Sequence, residues 1–423
     1  MANYQKIKGT QDFFGLEALK KKTLEAKIRV VAENFGFQEI MTPIFEYTEV
    51  FTRSVGDESD IVSKEMYTFL DRGDRSITLR PEGTASIARA FNENKLYGNG
   101  NQLNKYYYCG PMFRYERPQA GRYRQFHQFG VEAIGNSSPL LDCDVIMSAY
   151  RIFETLNIKN IVLKINSIGD FASRSAYQTA LQTYFKDKLD DLCGDCHRRY
   201  SKNPMRILDC KADKNNPVLL NAPKIKDYLN ETSQEYFKTI LSILDCFNIK
   251  YVVDPNLVRG LDYYTDTVFE YIIQSDDELN GLAICAGGKY AGLVRELGGP
   301  DLPGIGYAFG LERIASLLNN QEAWGNLELG VDVFVIGLDP ESKQFGLQLA
   351  HEWRMGGLKV ELDYQSNMLK TQFKTLERFN PSYIVIIGEE ERISNTVTLK
   401  NNTTKEQQRV AVDKVMAIVK EKK

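Results

Sequence analysis

A chain of 423 residues, 43% hydrophobic and 26% charged, has the composition of an ordinary soluble protein and room for two or three domains of roughly 150 residues each. No run of about 18 apolar residues occurs and the first residues, MANYQKIKGTQD, are polar, which argues against a membrane span or a secretory leader and makes the cytoplasm the expected compartment. A net charge of −3 speaks against a uniformly basic polyanion binder, and seven cysteines, an odd number spread thinly, speak against a disulfide framework.

In chain order, Leu24, Ile28, Val31 and Phe35 recur at helical spacing, and this predicts an amphipathic helix ending near Gly36, after which Pro43 forces an extended segment. Segments 61–69, 75–80, 105–116 and 122–135 read as strands of an antiparallel sheet, with a helix from about Thr84 to Asn94. In the run GPMFRYERPQAGRYRQFHQFGVE (110–132), arginines, aromatics and carboxylates alternate on both sides of a polar turn. Period-two alternation puts Arg114 and Glu116 on one face before the turn, and Arg124, Phe126, Gln128, Gly130 and Glu132 on one face after it. Such a face makes a poor core and a good floor for something polar and anionic. From Lys105 to Arg124 five basic residues stand against one acid, a local charge of +4.

Residues 170–250 are polar and helix-rich and read as an insertion packed against the sheet; strands return at 251–254, 263–273 and 282–286. Within LVRGLDYYTDTVFE (257–270), Arg259 sits among tyrosines and short polar side chains that suit a small polar ligand. After Asn326, strands at 331–338, 358–364 and 381–388 alternate with helical stretches, which predicts a compact α/β unit with a largely parallel sheet. This stretch balances its charges, with 14 Lys/Arg and 13 Asp/Glu in 331–423, so any RNA contact there comes from shape and a few polar groups.

Only three histidines occur, His127, His197 and His351, too few for a multi-histidine metal centre within one chain. Strand parity turns His127 away from Phe126 and Gln128, so it reads as a packed histidine. Cys193 and Cys196 form a CxxC followed by His197 and Cys210. Zinc is conceivable, but adjacent Cys196 and His197 share one ion with difficulty, so three buried thiols and no metal centre are expected.

Five runs together resemble one family. FRYE with RYRQFHQFGVE is similar to motif 2 of the class II aminoacyl-tRNA synthetases, GIGYAFGLERI (304–314) to motif 3 and GFQEIMTPIFE (36–46) to motif 1; LRPEGT (79–84) resembles the amino-acid-binding loop, and RGLDYY a signature of the histidyl-tRNA synthetases. The resemblance covers nearly the whole chain. It implies an α+β catalytic domain on an antiparallel sheet over 1–325, the helical insertion 170–250 included, and an α/β anticodon-binding domain over 327–423. The implied activity joins L-histidine to ATP as an adenylate and then to the 3′ end of tRNA(His), in a homodimer whose interface uses motif 1.

The same resemblance distributes roles. Arg114 and Arg259 would grip the α-phosphate, where two anions must meet, and Arg259 would do what a metal ion might otherwise do near the attacking carboxylate. Phe126 would stack on adenine, with Arg313 on its other side near the terminal phosphates, and Glu116 would accept from the adenine amino group. Mg²⁺ is expected with the triphosphate, although no carboxylate cage is visible. For histidine, Glu132 would accept the imidazole N–H, Tyr264 and Tyr290 would offer hydroxyls, and Tyr263 would line the same wall. Glu82, Gly83 and Thr84 of the LRPEGT loop, with Gln128, would receive the amino-acid end. Arg117 and Arg122 would meet the tRNA acceptor end. Plain readings stand beside these: a structural ion pair for either arginine and aromatic packing for the tyrosines. GGKYAGL departs from the family's Gly-Gly-Arg-Tyr-Asp-Gly-Leu at Lys289 and Ala291, which leaves open the ion pair made there. A catalytically silent relative, the regulatory subunit of ATP phosphoribosyltransferase, is the alternative within this fold; it characteristically lacks the C-terminal domain.

Overall fold

The computed structural model describes residues 4–55, 61–98, 103–117, 121–210, 212–259, 263–275, 279–364 and 368–421. Two compact units form, one from Met1–Phe13 and Lys20–Gly325, the other from Phe14–Leu19 and Asn326–Lys423.

The first unit is organised by an eight-stranded sheet of β1 (Gln38–Glu39), β2 (Asn104–Phe113), β3 (Gln125–Ile134), β4 (Ile161–Ser167), β5 (Tyr251–Val253), β6 (Tyr264–Ile273), β7 (Ala283–Tyr290) and β8 (Gly304–Gly310), in the order β1-β2-β3-β8-β7-β6-β4-β5. The edge pairs β1–β2 and β4–β5 are parallel and every pair between them is antiparallel. Phe129, Val131 and Ala133 of β3 point to the apolar side of this sheet. There they share one core with residues of α1 (Gly15–Asn34), α3 (Pro139–Thr155), α6 (Glu231–Cys246) and α7 (Leu311–Asn320). Each such side chain taken fully out of water contributes about 1.5–3 kcal/mol, so this face fixes the register of the polar one.

On the other side lie α2 (Thr84–Glu93) and most of the insertion, from α4 (Phe171–Phe185) through α5 (Gly194–Lys202), whereas its last helix, α6, packs on the apolar side. Local chemistry starts these helices. Asp170 accepts from Ser173 N at 2.8 Å and Asn230 from Ser233 N at 2.8 Å, each satisfying an orphan N–H of the first turn. A three-stranded antiparallel sheet of Phe45–Tyr47, Ser76–Leu79 and Tyr67–Leu70 completes the unit.

The second unit has strands β9 (Val333–Gly337), β10 (Val360–Leu362), β11 (Tyr383–Ile387), β12 (Thr396–Asn401) and β13 (Gln407–Ala411), ordered β10-β9-β11-β12-β13, with α8 (Pro340–Met355) and α9 (Leu369–Leu376) as the crossovers. The first three strands are parallel as the alternation predicts; the antiparallel pair β12–β13 is additional. Among the described residues no helix is long and apolar enough to cross a membrane.

Several boundaries differ from expectation. Ile61–Glu65 is a single π-helical turn, so that strand covers only Tyr67–Leu70. β2 ends at Phe113, because Glu116 N bonds back to Arg114 O at 2.8 Å and curls the chain out of the ladder. β7 runs on through GGKY to Tyr290, where it pairs with Tyr264 across a bulge.

Candidate active site

The polar face of the sheet is the floor of a cavity of about 360 Å³. Phe126, Gln128 and Glu132 of β3 line it, as period-two parity requires, with Tyr264 from β6 and Tyr290 from β7 along the wall. Opposite Glu132 in β8 stands Gly306, where an added Cβ would lie 2.2 Å from the Glu132 carboxylate, so only glycine leaves room for the acid. A similar constraint operates at Gly83 and Gly130, whose added Cβ atoms would fall within 2.5 Å of the Tyr108 ring.

One end of the cavity is a nest of carboxyls and hydroxyls. Glu132 accepts from Thr84 Oγ1 at 2.7 Å and from Tyr290 OH at 2.9 Å, one bond to each oxygen. Burial raises its pKa to about 8, only partly offset by those two donors. Glu82 accepts backbone N–H bonds from Thr84 at 2.7 Å and Ala85 at 2.8 Å, which anchors the LRPEGT loop to the first turn of α2. Burial raises its pKa as well. Tyr108 OH donates to Gln128 Oε1 at 3.1 Å, leaving the Gln128 amide group to face the cavity. Burial also holds Tyr263, Tyr264 and Tyr290 as neutral phenols. The nest is therefore tuned for a compact ligand with several polar atoms.

The other end is cationic. Arg259 is bound through Nη1 to Glu270 at 2.5 Å and lies over the Tyr264 ring, while its buried Nε has no hydrogen-bond partner among the described residues. Burial works against its charge, yet the Glu270 carboxylate keeps its pKa above the ordinary value. Arg114 donates through Nε to the Pro81 carbonyl at 2.8 Å and lies 5.2 Å over the Phe126 ring, an arrangement that leaves its terminal nitrogens to the cavity. Arg313 donates to the Ala283 carbonyl at 2.6 Å; burial, then the neighbouring Arg122 and Arg114, depress its pKa. Fixed cations facing one another without a full set of counter-charges are a receptor for a polyanion.

Most residues singled out in the sequence meet at this cavity, but by different routes. Arg114 and Glu116 line it although the strand stops before them; their ion pair is a loose 3.9 Å. Arg124 does not share the Phe126 face: it precedes β3 and its guanidinium sits 4.1 Å over the Tyr115 ring. Gly83 acts by making space. Arg122 reaches the cavity rim, 3.4 Å from Glu116, whereas Arg117 is exposed away from it. His127 is half-buried and tied through Nδ1 and its backbone N–H to Glu312, at 2.8 and 2.9 Å. Lys289 finds its counter-ion in Asp266 at 3.4 Å and lies over Tyr236, so the departure from arginine keeps an ion pair. Residues 260–262 of RGLDYY lie outside the described residues.

Sequence reasoning missed Tyr108, Glu270 and Arg80. Arg80, of the same LRPEGT run, bonds Pro111 O and Thr42 O and so ties that loop to β2. Tyr108 carried a signal, since it shares parity with Gly110 and Met112 on the strand beside β3. Glu270 carried a signal too, since it shares parity with Tyr264 and Val268, which lie in one buried cluster, but Arg259 precedes β6 and no strand parity relates the two.

The raised pKa of Glu132 makes a prediction for stability. A carboxyl whose folded pKa lies above its unfolded one contributes fully below about pH 4.5, and that contribution is lost as pH rises toward about 8. Each pH unit in this window costs at most about 1.4 kcal/mol. Melting curves between pH 6 and 8.5 should therefore fall more steeply for the unliganded parent than for Glu132→Gln. Parallel slopes would show that Glu132 is an ordinary carboxylate.

Comparison with known proteins adds an independent line. The family model for histidyl-tRNA synthetase matches residues 9–314, and one for an anticodon binding domain matches 332–422. A histidine–tRNA ligase of Geobacillus sp. (strain WCH70) is 46% identical over 421 residues, covering 99% of both chains. One from Bacillus subtilis (strain 168) is 44% identical, covering 99% of this chain and 98% of that protein. The crystal structure of apo Staphylococcus aureus histidyl-tRNA synthetase superposes with a TM-score of 0.85 at 38% identity, over 99% of this chain and all of the other.

Proposed function

The chain belongs to the histidyl-tRNA synthetase family, and we infer that it activates L-histidine with ATP and transfers the histidyl group to tRNA(His). The observation that carries this reading is the cavity itself: a nest of Glu132, Thr84 and Tyr290 at one end and the arginines at the other. Histidine enters the nest, its imidazole N–H donating to Glu132 and its ammonium donating to Glu82, Thr84 Oγ1 and the second lone pair of Gln128 Oε1. ATP lies along Phe126, with Arg313 at its terminal phosphates and Mg²⁺ arriving with the triphosphate as part of the substrate. One carboxylate oxygen of histidine attacks the α-phosphorus, the bond to the bridging oxygen breaks and pyrophosphate leaves. Arg114 and Arg259 face the charge that builds on the α-phosphoryl oxygens, and their anchoring to Pro81 O and Glu270 holds them in place before reaction. A ribose hydroxyl at the tRNA 3′ end then attacks the carbonyl of the adenylate and AMP departs. The silent regulatory reading is disfavoured, because the chain retains the region matching the anticodon-binding model and all three arginines.

The assembly is a homodimer in this account. Met41, Ile44 and Phe45 of the motif 1 stretch expose apolar surface, as do Tyr47 just after it and Phe69 and Leu70 of the same small sheet. Surface of this kind marks a partner site. Sedimentation equilibrium should give twice the 48.3 kDa chain mass, and a stable monomer at micromolar concentration would contradict it.

Residues 327–423 read the anticodon, and 1–325 carry the chemistry. A chain ended after Gly325 should therefore still exchange pyrophosphate in the presence of histidine while charging tRNA(His) far less efficiently, because the second binding module supplies effective concentration and not catalysis. Unchanged charging by a folded, dimeric fragment would remove the RNA-reading role of the C-terminal unit. We place the reaction in the cytoplasm, with the tRNA substrate.

A further inference from the structure

We propose that Cys193, Cys196, Cys210 and Asp213 bind one zinc ion that holds the insertion together. The four candidate ligand atoms all lie within 4.8 Å of one another. Cys193 Sγ is 3.5 Å from Cys210 Sγ, and Asp213 Oδ2 is 3.2 Å from Cys196 Sγ and 3.5 Å from Cys210 Sγ. With Zn–S near 2.3 Å and Zn–O near 2.0 Å, the edges of a tetrahedron are about 3.8 Å between sulfurs and about 3.5 Å between sulfur and oxygen. The three separations just given fall within a few tenths of an ångström of those edges, and the remaining ones are at most 4.8 Å, a span that a small adjustment of the side chains closes.

Local structure explains the convergence. Cys193 is the N-cap of α5, and its carbonyl accepts from Cys196 N at 2.9 Å and His197 N at 3.2 Å, so the opening turn brings the CxxC thiols together. A 3₁₀ turn at Pro204–Ile207 returns the chain, with Cys210 N bonded to Ile207 O at 3.0 Å. Asp213, three residues on, points back and is fixed by the Cys193 backbone N–H at 3.0 Å. The fourth ligand is therefore this aspartate, and the steric objection to adjacent Cys196 and His197 does not arise. Three thiolates favour a soft ion over magnesium or calcium, and four protein ligands close the coordination sphere, which makes the site structural. On binding, the three thiols release their protons to solvent and Asp213 enters as the carboxylate, so the loaded site carries a net charge of −2.

The insertion has a use for such a clip. Between α4 and α6 its helical elements are short: Leu189–Asp191, Pro204–Ile207, Pro217–Leu220 and Ile225–Asp227 have three or four residues each, and α5 has nine. Turns this short do not persist by their own hydrogen bonds. Cys196 and Cys210 belong to the same buried cluster as Leu257, Val258 and Tyr264, so the clip and the wall beside Arg259 share one core.

The test uses the full chain, purified without a polyhistidine tag and under reducing conditions. Elemental analysis should find about one zinc per chain, and exchange with Co²⁺ should give the thiolate-to-cobalt charge-transfer absorption of a tetrahedral sulfur-rich site. Cys196→Ser and Cys210→Ser should lose the metal and melt at lower temperature, whereas Asp213→Cys should retain it. Because a misfolded serine variant also loses the metal, the parent provides the decisive readout. A folded parent chain with no zinc and no cobalt–thiolate band overturns the proposal, as does a Cys193–Cys210 disulfide in peptide mapping of the alkylated protein. The catalytic cavity uses other residues, so histidine-dependent pyrophosphate exchange by the same preparation reports on that function separately.

Discussion

Replacing Arg259 by alanine should lower histidine-dependent pyrophosphate exchange by about 10²-fold or more while the protein stays folded. The guanidinium is buried and oriented by Glu270, its Nε has no hydrogen-bond partner among the described residues, and it lines the cavity in which we place the phosphoryl transfer. A structural ion pair is the competing explanation, and the geometry provides the means to separate the two. In Arg259→Ala, Glu270 is left as an unpaired, mostly buried carboxylate, which by itself destabilises the wall. Adding Glu270→Gln removes that stranded charge. If the double variant regains the parent's melting temperature and exchange remains low, the arginine acts on the reaction. Recovery of exchange together with stability would reduce Arg259 to a strut for β6.

Glu132→Gln should raise the KM for histidine by about 10- to 100-fold with the KM for ATP nearly unchanged, the range expected for mispairing a hydrogen bond in a buried polar site. Both oxygens of Glu132 are already held by Thr84 and Tyr290, and Gly306 leaves no room for the side chain to move away. Glutamine keeps the volume but turns an acceptor atom into a donor facing a hydroxyl that now donates to it. Pyrophosphate exchange at saturating histidine should remain within a fewfold of the parent. A raised ATP requirement with histidine affinity intact would move Glu132 to the nucleotide site.

Much of this cavity could be read from residues alone, for a physical reason. β3 is apolar on one face and carries Phe126, Gln128 and Glu132 on the other, and a strand that buries one face cannot slip by one residue without exposing Phe129 and Val131. Parity therefore placed three site residues before any tertiary structure was known. It failed where the pleat is interrupted. The chain curls at Arg114–Glu116, which sends Arg124 onto Tyr115, and Arg259 lies before β6 begins, so no strand parity relates it to Glu270. The β12–β13 hairpin did have a local signal: Val397 and Leu399 alternate with polar residues and NNTT supplies the turn, but the pair extends a parallel sheet in the opposite sense. Asp213 was hidden because an aspartate among polar loop residues looks like any solvated acid until the fold carries it onto three thiols. The order of the eight strands depends on pairings between residues more than a hundred positions apart, such as Gly306 with Glu132, and no local pattern encodes those.

The most direct test of the account is pyrophosphate exchange by the purified full chain, measured with each of the twenty amino acids at equal concentration. A cavity with Glu132, Thr84 and Tyr290 at one end and the arginines at the other should support ATP–pyrophosphate exchange with histidine and leave the other nineteen at background, since the remaining lone pairs of Glu132, fixed in place by Thr84 and Tyr290, select a side chain of imidazole size that brings an N–H. Exchange driven equally well by another amino acid, or none with histidine from the folded protein, would contradict it.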